Sequence, residues 1–197
     1  FYLTSPDEQV RHATGDYIAE LARLCHDLNG RIMVLGSPQQ RNLIPGVSHD
    51  EAMDYAADTI RRAMPVLEEG GVTLALEPLA PAEGDFLNTA ELGIELARKV
   101  DSPNCRLHLD VKAMSSEEKS IPSIIRDSAD WLAHFHANDP NLLGPGMGEV
   151  AFEPIFESLG EVGYDGWVSV EVFDYAPGIE TICEESIAYM KAVNERI

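Results

Sequence analysis

Basic residues are scarce in this chain. Lysine and arginine together number 14 against 34 aspartates and glutamates, a formal net charge of -20. So acidic a surface repels a phosphate backbone, and no cluster of Lys and Arg offsets it, so nucleic acid is not an expected partner. Cysteine is also sparse. Cys25, Cys105 and Cys183 are far apart, odd in number and form no CxxC pair. That usage gives no disulfide framework and fits a reducing compartment, with the cytoplasm as the expected location. No apolar run reaches the roughly 18 residues of a membrane helix, so no membrane partner is expected. An initiator methionine is missing too: the chain starts at Phe1. The true start, with any signal peptide, is therefore expected to lie upstream. Most of the acid reads as a solvated surface, leaving a few carboxylates to be examined as ligands.

What remains is ordinary for a globular α/β protein. The 197 residues, 45% hydrophobic and 24% charged, suit a single domain over 1–197 with a real core. Helix and strand patterns alternate without a linker or low-complexity segment. Helices are predicted over 5–28 (capped by Ser5, ended by Asn29-Gly30), from Ser48 to Gly70-Gly71, and over 89–100, 121–131, 152–162 and 178–195. Strands are predicted at 31–36, 72–77, 105–110, 132–137 and 166–173. Five strands about 30 residues apart, each followed by a helix, have the rhythm of a parallel sheet.

Alternate residues of a strand share a face. Leu74 and Leu76 oppose Thr73, Ala75 and Glu77; Leu107 and Leu109 oppose Arg106, His108 and Asp110. Ala133, Phe135 and Ala137 oppose His134, His136 and Asn138; Val168, Val170 and Val172 oppose Trp167, Ser169 and Glu171. Each strand thus has one apolar face for covering helices and one polar or small face. An open doubly wound sheet would bury both faces and show continuous apolar runs. A closed barrel with a polar interior fits better.

The polar faces of the last four strands end in Glu77, Asp110, His136 and Glu171. Parallel strands direct their C-terminal ends to one side, where barrel active sites lie. Three carboxylates and an imidazole suit a divalent ion: Mn²⁺ or Mg²⁺ first, with Co²⁺ or Zn²⁺ as alternatives. Singly, each residue also fits a structural role, as a loop cap or a satisfied core histidine. The HxH of AHFHANDPN leaves open which histidine is a ligand.

The segments LALEPLAPAE, LHLDVKAM, AHFHANDPN and GPGMGEVAFEPIFESLGEVGYDGWVSVEVF together resemble the sugar phosphate isomerase/epimerase family. This is the xylose isomerase-like TIM barrel group that includes the tagatose and psicose 3-epimerases. The resemblance runs from about residue 5 to the end and is most specific over 132–173. It implies that Glu77, Asp110, His136 and Glu171 bind Mn²⁺ or a similar ion. His134, on the same face but one layer deeper, reads as an interior hydrogen-bonding residue paired with His108. The resemblance implies proton abstraction beside a carbonyl through a metal-stabilised enediolate, with Glu77 and Glu171 as base and acid. Glu83 matches a glutamate that supports substrate and base in those enzymes.

Two sugar anchors of the 3-epimerases are replaced here by Ala113 and Leu142. Lys112, two residues after Asp110, is the candidate for a different anchor, and His108 and Trp167 complete the substrate-binding set. A full (β/α)8 barrel has eight strands in about 250 residues. With about five strands present, the family's first three would precede Phe1, making this the C-terminal part of an incomplete TIM barrel. The full-length form is expected to be a homo-oligomer acting on a small carbohydrate. Three other readings compete. A dehydroshikimate- or inosose-type dehydratase would use the same proton abstraction. A non-catalytic barrel would bind metal or sugar without turnover. An endonuclease on this scaffold would need a histidine at Ala113 and tolerance of DNA, which the charge opposes.

Overall fold

The computed structural model describes residues 1–197. It divides into two units, residues 1–108 and 109–197, with the division falling inside a strand.

The first unit holds helix α1 (Glu8–Asp27), strand β1 (Ile32–Leu35), a short 3-10 turn (Pro38–Gln40), α2 (His49–Gly70), β2 (Thr73–Leu76), α3 (Ala90–Val100) and most of β3 (Cys105–Asp110). β1, β2 and β3 lie side by side and parallel, with Leu35 beside Leu76 and Leu76 beside Leu107. The start of α1 corrects the expected cap. Asp7, not Ser5, is the N-cap, its carboxylate accepting from the Gln9 N–H at 2.8 Å. Pro6 follows Ser5, and the Ser5 hydroxyl accepts from the Asp7 N–H at 3.2 Å, so it holds the turn ahead of the helix. α2 starts at Ser48 as expected, and Glu51 completes a reciprocal cap with it. It ends at Gly71, whose φ of 61° favours glycine.

Small residues set the helix packing. Ala52, Ala56, Ala57, Ile60, Ala63 and Leu67, at helical spacing, form the buried stripe of α2. A Cβ on Gly15 of α1 would stand 2.7 Å from the Thr59 carbonyl, so glycine lets these two helices approach closely. Likewise a Cβ on Gly93 of α3 would meet the Leu107 side chain at 2.5 Å. That contact fixes which face of β3 turns toward its covering helix. Leu107 faces α3, so His108 takes the opposite face.

The second unit holds the end of β3, α4 (Val111–Met114), α5 (Ile121–Asp127), β4 (Leu132–Ala137), α6 (Glu153–Glu161), β5 (Val168–Val170) and α7 (Ile179–Asn194). β4 and β5 are parallel, pairing His136 with Ser169 and Ala137 with Val170. Phe135, Phe152, Ile124 and Ile125 are fully buried in its core. β5 is shorter than the predicted 166–173. Its ladder ends early because the Phe173 and Asp174 N–H groups both donate to the Leu142 carbonyl, at 2.9 and 3.0 Å. The strand-end loop takes the hydrogen bonds that a longer strand would have used. No helix is long and apolar enough to cross a membrane.

Candidate functional site

Within the second unit the ends of β3, β4 and β5 bring three of the predicted residues together. His136 Nδ1 lies 3.1 Å from Glu171 Oε2 and 3.9 Å from Asp110 Oδ2. The geometry follows from the sequence. His136 alternates with buried Phe135 and so takes the face opposite the core. Glu171 lies one residue past β5, its N–H still bonded to the Ala137 carbonyl at 3.4 Å. Asp110 ends β3 and caps α4, accepting the Ala113 N–H on Oδ1 at 2.9 Å.

Asn138, fully buried, holds this arrangement in place. Its amide nitrogen donates to Asp110 Oδ2 at 2.6 Å, and its carbonyl oxygen accepts the Lys112 N–H at 2.8 Å. A carboxylate offers about four lone-pair sites, so the Ala113 and Asn138 donors do not by themselves exhaust those of Asp110. His136 and Glu171 hydrogen-bond to each other at 3.1 Å, a spacing that also suits two ligands of one divalent ion. Two ligands each about 2.1 Å from one ion and at right angles stand roughly 3 Å apart, close to the 3.1 Å between His136 and Glu171.

His134 turns to the same side of β4, with its ring edge-on to that of His136 at 5.2 Å. Its Nε2 is 3.2 Å from the Ser169 hydroxyl, one strand over. The glycine-rich loop after β4 is organised by Asp139, buried at the strand end. Its carboxylate accepts from the Asn141 N–H at 3.3 Å and the Val150 N–H at 2.9 Å. A Cβ on Gly148 would collide with that carboxylate, which accounts for a glycine at this point of GPGMG.

In the first unit Glu77 occupies the equivalent place, one residue past β2. Its N–H donates to the Leu35 carbonyl at 3.2 Å, and its Oε1 lies 3.6 Å from His108 Nε2. Both side chains are buried. A Cβ on Gly36 would stand 1.7 Å from Glu77 Oε2, so the end of β1 is hollowed out for this carboxylate. His108 and Asp110 are two apart on β3 and share its polar face.

Glu83 lies in the loop after β2, where its Oε2 accepts the Ala80 N–H at 3.2 Å. Lys112 places its ammonium 4.3 Å from the centre of the Phe173 ring, a cation–π contact two residues beyond Glu171. Trp167 departs from expectation. It precedes Val168 at the opposite end of β5 from Glu171 and is 79% exposed. Four residue steps, roughly 13 Å, separate it from Glu171.

Sequence reasoning missed Asn138 as a positioning residue, although its phase was visible after HxH. It also missed Arg41, which is 3% exposed. Arg41 sits in a loop, where no periodicity marks a buried charge.

Comparison with known proteins agrees with this architecture. A model of the xylose isomerase-like TIM barrel matches residues 1–193. The D-psicose 3-epimerase of Ruminiclostridium cellulolyticum is 29% identical over 173 residues, covering 87% of this chain and 59% of that protein. The ketose 3-epimerase of Arthrobacter globiformis is 30% identical over 166 residues, covering 84% of this chain and 55% of that protein. The chain thus spans somewhat over half the length of these relatives. A crystal structure of D-psicose 3-epimerase with D-tagatose from Clostridium cellulolyticum H10 superposes with a TM-score of 0.87 at 25% identity, covering 98% of this chain and 74% of that one. The five parallel strands alternating with helices are therefore those of an incomplete (β/α)8 barrel.

Proposed function

Because the chain belongs to the xylose isomerase-like TIM barrel family, we propose that it serves a divalent-metal-dependent epimerase or isomerase of a sugar or sugar derivative. The observation that carries this reading is the cluster of Asp110, His136 and Glu171, with 3.1 and 3.9 Å between donor atoms and Asn138 clamped on Asp110. The relatives named above are sugar 3-epimerases.

Asp110, His136 and Glu171 hold the ion, and Glu77 is the fourth ligand by strand phase and by resemblance. Mn²⁺ is the proposed ion, the oxygen-rich set also suiting Mg²⁺, Co²⁺ or Zn²⁺. When bound, it polarises a carbonyl and stabilises negative charge developing on its oxygen. Glu77 and Glu171 exchange the proton on the carbon beside that carbonyl, one removing it and the other returning it. His108 positions the Glu77 carboxylate, whereas Glu83 and Lys112 contact the substrate. Trp167, exposed at the far end of its strand, has no role in this proposal.

Solvent exchange tests it. Mn²⁺-loaded protein is incubated in D2O with ketoses and their acidic derivatives, and proton NMR follows the hydrogens beside the carbonyl. Deuterium at one such carbon, with an epimer or isomer as product, is the expected result. Loss of a hydroxyl to give an ultraviolet-absorbing enone would instead mark a dehydratase. A metal-loaded protein that exchanges no hydrogen on any of them would overturn the catalytic reading.

A further inference from the structure

We propose that Arg41 anchors an acidic group of the substrate, a carboxylate or a phosphate, at the C-terminal end of β1. The proposal rests on the epimerase or isomerase reading above and narrows its substrate to a charged sugar.

Arg41 is 3% exposed, rare for arginine unless its charge is met. Its protein contacts meet only part of it. Nη1 donates to the Leu35 carbonyl at 3.2 Å, and the buried Nη2 has no hydrogen-bond partner. A buried N–H left unbonded costs about 1–3 kcal/mol, and more on a charged group. Glu77 and Glu83 favour the cation electrostatically. Burial outweighs them and brings the guanidinium down to about 10, so it remains charged at neutral pH. The protein therefore keeps a cation whose desolvation is only partly compensated, with a free donor. An acidic oxygen on Nη2 supplies both the missing bond and the missing charge.

Its location is that of a substrate group. The Leu35 carbonyl accepts from both Arg41 Nη1 and the Glu77 N–H, so the guanidinium lies beside the residue proposed as base. The supporting loop is tied down by hydrogen bonds. The Arg41 N–H bonds the Pro38 carbonyl, and Leu43 and Asn42 are tied to Asp85 in the loop after β2, at 2.7 and 3.2 Å. A buried guanidinium placed by one hydrogen bond, on a loop that is itself bonded in place, and with its other nitrogen unbonded, is prepared for a ligand.

The test is titration calorimetry of the protein with fructose, fructose 6-phosphate and fructuronate, with and without Mn²⁺, with metal content measured on the same samples. One of the acidic ketoses is expected to bind roughly 30-fold or more tightly than fructose. Arg41→Met is expected to bring that ratio near one while retaining Mn²⁺. Arg41→Lys, which keeps the charge but loses the fork, should lose part of the preference and decides the matter if the Met variant fails to fold. Equal binding of all three sugars by the parent, no binding of either acid, or a preference that survives both substitutions would overturn the anchor. Bound Mn²⁺ without acid preference would defeat this inference alone. Acid preference abolished by Arg41→Met, in protein that binds no Mn²⁺, would uphold the anchor and defeat the metal centre.

Discussion

Glu77 and Glu171 occupy matching places, each one residue past a strand on its polar phase, yet their surroundings differ. Glu77 is 8% exposed, beside buried His108 and at a strand end kept open by Gly36. The Glu171 side chain is 38% exposed and rests against His136, itself only 13% exposed. The same strand grammar therefore delivers two carboxylates into unequal settings. Separated environments allow two carboxylates to take different roles in one proton transfer. The buried one is held by packing, beside His108 and over Gly36. The exposed one depends on its partner histidine.

The largest expected effect would break the comparison directly. Glu77→Gln and Glu171→Gln should each lower deuterium exchange into the substrate by roughly 10²- to 10⁴-fold. If one variant retained parental exchange, that glutamate would be a ligand or a bystander rather than a proton carrier. A smaller effect is expected one contact further out. Asn138→Ala removes the clamp on Asp110 and should weaken Mn²⁺ binding by about 10- to 100-fold in a competition titration with a chelator. Unchanged affinity would mean that Asp110 is positioned by α4 alone. The smallest effect on the fold sharpens the contrast. Gly36→Ala would drive a methyl group into the Glu77 carboxylate, the movable end of a side chain. It should cost on the order of 1 kcal/mol of stability, read by thermal melting, and lower exchange far more. A variant with parental exchange would show that the buried glutamate tolerates displacement.

How much of this was legible in the sequence depended on periodicity. Alternation along 132–137 put His136 opposite Phe135, and the structure has that histidine beside Asp110 and Glu171. Ser48 marked the start of α2 as an N-cap residue, and it caps the helix there, with Glu51 capping it in return. Features set by tertiary contacts were not legible. The early end of β5 depends on the Leu142 carbonyl, which lies 31 and 32 positions before the residues that claim it. The buried guanidinium of Arg41 sits in a segment that reads as an ordinary polar loop, QQRN. Trp167 shows the opposite failure. Alternation says nothing of where along the strand a residue falls, and only the fold shows that its ring is in solvent.

The central claim is that the strand ends hold a divalent ion through His136 and its carboxylate neighbours. Elemental analysis after Mn²⁺ loading and desalting, on the parent and on His136→Ala, tests it most directly. The account predicts about one tightly held ion per chain in the parent, as a single such ligand set provides, and its loss in a variant that remains folded. A folded parent that retains no ion, or a His136→Ala variant that retains it fully, would contradict the account.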